Sequence, residues 1–271
     1  MLFRSIKHVV DGQLVPRFLQ ALPFPLTGAQ QRVISEISVD LAGPHPMHRL
    51  LQGDVGSGKT VVAVNAMLMA VQGKHQGALM APTEVLAEQH FAGVSRLLAG
   101  LQVPDPDNLF GDRPLRVELL TGRVTGEKRR AVLAELASGT IDIVIGTHAL
   151  IQEGVQFASL GVVVIDEQHR FGVEQRDALR MKAKVPPHLL VMTATPIPRT
   201  VAMTIFGDLD VSTLRQLPAG RSQIATHVIP VLEKPKYLER AWERIKEEVS
   251  KGHQAYVVAP RISRSEEHTS E

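Results

Sequence analysis

Apolar positions along the chain fall into two alternating patterns. Short apolar runs, rich in Val, Ile and Leu, occur at 49–52, 77–81, 116–120, 141–146, 162–165, 189–193, 226–230 and 255–259. Between them lie stretches with helical spacing at 27–41, 59–72, 84–98, 126–138, 175–181 and 236–251. Runs without polar alternation predict strands covered on both faces, the condition of a parallel sheet. Strands alternating with helices then predict a doubly wound α/β domain, roughly over residues 24–217, with helices on both faces of its sheet. The stretch from Pro104 to Pro114 is dense in turn formers and reads as a surface loop. Leu217-Pro-Ala-Gly-Arg221 reads as a linker, and a new strand, helix and strand follow it. One such unit cannot bury its own apolar faces, so 218–263 is expected to be the opening of a second domain. No internal repeat is visible.

Composition narrows the class. The chain has 271 residues, 44% apolar and 21% charged, enough for a substantial core and unlike disordered, collagenous or coiled-coil sequences. Aromatic content of 4% argues against a lectin-like stacking surface. With no cysteine, a disulfide scaffold, a zinc ribbon and a cysteine nucleophile are excluded. The longest apolar stretch, 61–71, is interrupted by Asn65 and too short to span a bilayer. Residues 1–20 carry Arg4, Lys7, Asp11 and Arg17 without the apolar core of a secretory signal, so a cytoplasmic setting and no membrane partner are expected. The formal charge is +2, and the last eight residues, one Arg and three Glu, contribute −2 of it. A mildly basic body suits a phosphate-rich partner and equally an ordinary surface. The tail 264–271 has neither apolar period nor turn logic. It resembles a translated sequencing adapter and is expected to be non-native.

Gly53-Asp-Val-Gly56-Ser57-Gly58-Lys59-Thr60 fits the pattern G-x-x-x-x-G-K-[ST], after a predicted strand and at the head of a predicted helix. Gly56 and Gly58 let backbone wrap a phosphate, and the helix N-terminus aims N–H groups at it. Lys59 is placed to reach the β- and γ-phosphates of ATP, and Thr60 to hold Mg²⁺ through its hydroxyl. The strand at 161–165 runs directly into Asp166 and Glu167, on what is expected to be a neighbouring strand end. Asp166 suits Mg²⁺ bound through water, and Glu167 suits activation of the attacking water. No other metal site is expected, because the eleven His are scattered without carboxylates at ligand spacing.

Four further strings extend the pattern: Ala81-Pro-Thr-Glu-Val-Leu-Ala-Glu-Gln-His90, Gly146-Thr-His-Ala-Leu150, Asp166-Glu-Gln-His-Arg-Phe-Gly-Val173 and Thr193-Ala-Thr-Pro-Ile-Pro-Arg-Thr200. With the P-loop they resemble superfamily 2 DNA helicases, in particular the branch-migrating members that act on stalled replication forks. The resemblance runs from about Phe18 to Ser263. It implies a RecA-like P-loop domain at 23–217, the truncated start of a second RecA-like domain at 218–263, and a linker from a wedge domain at 1–22. Branched DNA (replication forks and Holliday junctions) is the implied partner, with a single-stranded DNA-binding protein as a further partner of the full-length protein.

Residue by residue, the resemblance assigns Phe24 and Gln30 to adenine recognition, by stacking and by paired amide hydrogen bonds. Pro82, Thr83, Glu84, Thr121, Gly122, Thr147 and His148 match segments that track a DNA backbone without reading sequence. Thr193, Ala194 and Thr195 match the segment that couples the γ-phosphate to domain movement. Gln168 and His169 match residues linked to the nucleotide and to that segment, although His169 also reads as a hydrogen-bond partner of the two acids. Arg123, Lys128, Arg129 and Arg130 read first as a solvated basic face and second as a DNA contact. Arg170 and Phe171 read as a candidate DNA-sensing loop. The family's transition-state arginine belongs to the second motor domain, beyond Ser263, so this polypeptide alone is expected to bind Mg-ATP, hydrolyse it poorly and unwind nothing. Two rivals remain. One is the motor of a transcription-repair coupling translocase, and the other is a non-catalytic nucleotide-binding module. A transporter ATPase is set aside, since Leu-Ser-Gly-Gly-Gln is absent.

Overall fold

The structure is a computed structural model that describes residues 5–8, 11–104, 111–166, 182–183, 185–195, 209–216 and 226–258. It divides into two compact units, 1–221 and 222–271.

In the larger unit, seven strands form one parallel sheet. They are β1 (His48–Gly53), β2 (Gln76–Met80), β5 (Val117–Leu120), β6 (Ile143–Gly146), β7 (Leu160–Asp166), β8 (His188–Thr193) and β9 (Asp210–Leu214). Their spatial order is β5-β6-β2-β7-β8-β1-β9. The helices are α1 (Leu14–Ala21), α2 (Gly28–Ala42), α3 (Lys59–Gln72), α4 (Glu84–Leu97) and α5 (Gly126–Ser138).

Side-chain alternation along each strand builds two cores from one run of apolar residues. On β7, Val162 and Val164 join the core beneath α1–α4, while Val163 and Ile165 join the opposite core beneath α5. On β8, Leu190 and Met192 take the first face, and Leu189 and Val191 the second. The central helix α3 is buried at every position from Val61 to Val71, because it packs against α1, α2, β2 and β7. A helix enclosed on so many sides has no polar face to show, which accounts for a sequence apolar from Val61 to Val71 except at Asn65.

Six of the expected strands and four of the expected helices of this unit stand where the pattern placed them. The seventh strand, β9, is an edge strand with an exposed start at Asp210. The expected loop from Pro104 to Pro114 is shorter than the pattern suggested. Its ends pair antiparallel as β3 (Gln102–Pro104) and β4 (Asp112–Pro114), with Arg113 bridging bidentately to Asp142 at 2.7 and 2.8 Å. The helix expected at 175–181 lies outside the described residues.

In the smaller unit, helix α6 (Lys236–Ser250) forms as expected, but it has no buried residue. The strands expected at 226–230 and 255–259 are a correction: residues 226–230 and 255–258 join no ladder among the described residues. A strand exists through hydrogen bonds to a neighbour, and among the described residues these two runs have none; Val228 and Val258 are almost fully exposed.

Candidate nucleotide and DNA site

The C-terminal rim of the sheet carries two groups of loops, and strand order decides which loops meet. β1, β8 and β7 are consecutive and bring together the P-loop, the Thr193–Thr195 segment and Asp166. β5, β6 and β2 are consecutive and bring together 121–122, 147–148 and 82–84.

The P-loop leaves β1 at Gly53 and enters α3 at Lys59. Gly56 and Gly58 hold φ of +76° and +85°, backbone that other residues rarely adopt. Gly58 is the N-cap and offers no side chain to the first turn of α3, an arrangement suited to an anion at the helix start. Lys59 Nζ donates to Gly53 O at 2.5 Å and Asp54 O at 3.1 Å. Its ammonium thus curls over the loop that would receive a phosphate. Ser57 is buried, and its hydroxyl has no hydrogen-bond partner among the described residues.

Gln30 sits beneath this loop. It is 1% exposed, and both ends of its amide are engaged inside the protein. Oε1 accepts from Thr27 N at 2.8 Å, completing a capping box at the start of α2. Nε2 donates to Ser57 O at 2.8 Å. These two bonds tie α2 to the P-loop and leave one amide hydrogen and one lone pair of the oxygen for a further partner. Phe24, by contrast, is 41% exposed and presents its ring.

Asp166 ends β7 in register with Met192, and β8 lies between it and β1. The two functional strand ends are thus not neighbours, as the sequence suggested, but are separated by one strand, roughly 10 Å apart across two strand spacings. That gap suits a carboxylate reaching a metal through water. The donor set fits Mg²⁺: a hydroxyl from Thr60 and a carboxylate from Asp166 are hard oxygen ligands, and Asp166 is only 8% exposed. Its Oδ2 lies 2.6 Å from His90 Nε2 on α4. The sequence reading missed this pair. The signal was strand parity, since Asp166 shares the face of Val162 and Val164, the face on which α4 packs.

The intervening strand β8 delivers Thr193, Ala194 and Thr195 between the two. Gln52 Nε2 donates to Thr195 O at 3.2 Å, joining β1 to this segment, and Thr195 N donates to Thr193 Oγ1 at 3.2 Å. Glu167, Gln168 and His169, with Arg170 and Phe171, lie outside the described residues.

In the other group, Thr83 caps α4, accepting from Leu86 N at 3.3 Å, beside a half-buried Pro82. Thr121 and Thr147 are turned inward. Each is nearly fully buried, and each hydroxyl accepts from a backbone N–H two residues on, of Arg123 at 3.3 Å and Ala149 at 3.5 Å. These hydroxyls shape their turns, and the groups left facing solvent there are Gly122 and His148. Glu84 pairs with Arg123 at 2.7 Å, and Glu88 meets the same guanidinium at 3.3 Å. Arg129 donates to Gln152 at 3.0 Å.

A P-loop at the head of a buried helix, a strand-end carboxylate one strand beyond its neighbour, and a second cluster of loops on the same rim together define a helicase motor domain of the RecA-like kind. The chain belongs to the DEAD/DEAH box helicase family, whose pattern matches residues 27–204, and that membership implies the use of ATP. Within it the similarity is to ATP-dependent DNA helicase RecG. The Mycobacterium bovis protein of that name is 57% identical over 257 residues, 94% of this chain and 35% of that protein. The Bacillus subtilis protein is 47% identical over 263 residues, 97% of this chain and 36% of its relative. A solved structure of RecG bound to a three-way DNA junction superposes with a TM-score of 0.79 at 41% identity, covering 96% of this chain and 32% of that one. The RNA-bound structure of Mss116p, 19% identical with a TM-score of 0.57 over 88% of this chain and 51% of that one, shares the fold alone. The chain spans about a third of the length of the curated relatives it matches.

Proposed function

We propose that this chain is the ATP-binding motor portion of a helicase that translocates on branched DNA, and that the full-length protein unwinds and branch-migrates forks and Holliday junctions in recombination and repair. The observation that carries the reading is the strand order of the sheet. It gathers the nucleotide loops on one half of the rim and the candidate DNA loops on the other, with α4 starting in one group and touching the other.

In this reading the uncapped start of α3, Gly53, Gly56, Ser57, Gly58 and Lys59 bind the phosphates, and Phe24 stacks on adenine. Gln30 recognises the base with the remaining donor and acceptor of its amide while holding the loop. Thr60 and Asp166 hold Mg²⁺, which when bound neutralises charge on the phosphates. Glu167 activates water, and Gln168 and His169 link it to the Thr193–Thr195 segment. Pro82, Thr83, Glu84, Gly122 and His148 follow the DNA backbone through main-chain and short polar contacts, with Thr121 and Thr147 setting the turns. Residues 218–263 open the second motor domain, 1–22 connect to a preceding wedge domain, and 264–271 are a non-native tail. The chain by itself binds Mg-ATP without efficient unwinding. The setting is the cytosol, where DNA and a single-stranded DNA-binding protein are at hand.

The test is ATP turnover by the full-length protein with forked, duplex and no DNA. Strong stimulation by the fork, lost in Lys59→Ala, is expected; turnover indifferent to DNA would refute the reading, and nucleotide binding without turnover would replace it with a non-catalytic nucleotide-binding module.

A further inference from the structure

We propose that His90 is the positioning residue of the metal-holding carboxylate, and that it makes α4 a mechanical link between the DNA-tracking segment 82–84 and the nucleotide site. This rests on the reading of Asp166 as the Mg²⁺-holding acid.

Three observations carry it. His90 Nε2 lies 2.6 Å from Asp166 Oδ2, with side chains only 14% and 11% exposed. An imidazole N–H donated to one carboxylate oxygen fixes the plane of the group, much as partners behind a metal ligand orient it. The helix that supplies His90 begins in the segment proposed above to follow DNA: Thr83 is its N-cap, and Glu84 in its first turn is paired with Arg123. Glu84 and His90 are six residues apart, about 9 Å of rigid helix. Finally, β2, which leads into α4, is the direct neighbour of β7, which ends in Asp166. A displacement at the start of α4, where a phosphate would press, is thus transmitted to His90 and turns the carboxylate.

The experiment titrates Mg²⁺ into the 271-residue chain with a fluorescent ADP analogue, for the wild type, His90→Ala, His90→Gln and Asp166→Asn. Hydrogen exchange at the first amides of α4 is followed with and without Mg²⁺. His90→Ala is expected to lower the Mg²⁺-dependent gain in nucleotide affinity about tenfold and leave Mg²⁺-free affinity within about twofold. Glutamine, which keeps an N–H donor at the right reach, restores most of the gain. The Mg²⁺-induced protection of α4 disappears in His90→Ala. If His90→Ala keeps the gain or the protection while Asp166→Asn loses the gain, the role of His90 is refuted and the metal reading stands. If Asp166→Asn also keeps the gain, the metal reading fails and takes this proposal with it. Equal loss with and without Mg²⁺ in His90→Ala marks a merely structural residue and overturns the proposal.

Discussion

Acidification should weaken the larger unit through three histidines packed at the N-terminal end of its sheet, remote from the nucleotide rim. His8 is 4% exposed, with ring centroids 5.2 Å from His75 and 5.0 Å from His188. Its Nε2 faces Gly161 O at 3.4 Å, and its Nδ1 is buried without a partner. Burial, then the charges that His188 and His75 would carry, push its pKa down from 6.5 to about 3, against a smaller opposing pull from the Gly161 carbonyl. Below pH 6.5 the unfolded chain takes up this proton and the folded chain does not. The contribution of His8 is therefore complete above pH 6.5 and is lost as pH falls toward 3. At 1.36 kcal/mol per unit, about 2 kcal/mol disappears between pH 7 and pH 5, from a total of about 5. Burial lowers His75 and His188 as well and steepens the slope, with the Ile6 carbonyl and then Asp40 pulling His188 the other way. Urea unfolding at pH 5, 6 and 7 should be followed by far-UV circular dichroism, because Trp242, the single tryptophan, belongs to the smaller unit. His8→Leu should flatten the pH dependence by about 2 kcal/mol over that interval. Parallel pH profiles for the two proteins would refute the assignment.

Other positions give equally definite expectations. Gly58→Ala forces a side chain onto φ +85° and drives Cβ into Gln30 Nε2, so nucleotide affinity in a fluorescent ADP titration should fall at least tenfold while the helical circular dichroism signal is kept. Asn65 is buried within α3 with both amide atoms unpartnered; Asn65→Leu should raise the urea midpoint, by about 1–2 kcal/mol in stability. Arg49 ties β1 to Asp40 at 2.7 Å and to Ser212 of β9 at 2.8 Å, so Arg49→Met should cost about 2 kcal/mol in the same assay, and hydrogen exchange should show β9 as the strand most exposed by the change.

The central strands were legible because burial on both faces removes polar alternation, leaving runs such as Val162–Val163–Val164–Ile165 with one reading. Edge strand β9 was not, because Asp-Val-Ser-Thr-Leu is half solvated and looks like loop. Helix α1 was missed as well, being eight residues long with Pro16 inside it and no side-chain cap at Gln13. At 226–230 and 255–258 the opposite happened: local propensity was present, and among the described residues partners to express it were not. The P-loop was readable because its chemistry is contiguous in sequence. The His90–Asp166 contact and the inward turn of Gln30, Thr121 and Thr147 were hidden, since each depends on how separate elements pack.

The central claim is that Gly53–Thr60 binds the phosphates of ATP, and calorimetric titration of ATP into the chain, with and without Mg²⁺, tests it most directly. Saturable one-to-one binding strengthened by Mg²⁺ in the wild type, and abolished in a Lys59→Ala protein that unfolds at the same temperature, is the predicted result. Unchanged binding in Lys59→Ala, or none in the folded wild type, contradicts the account.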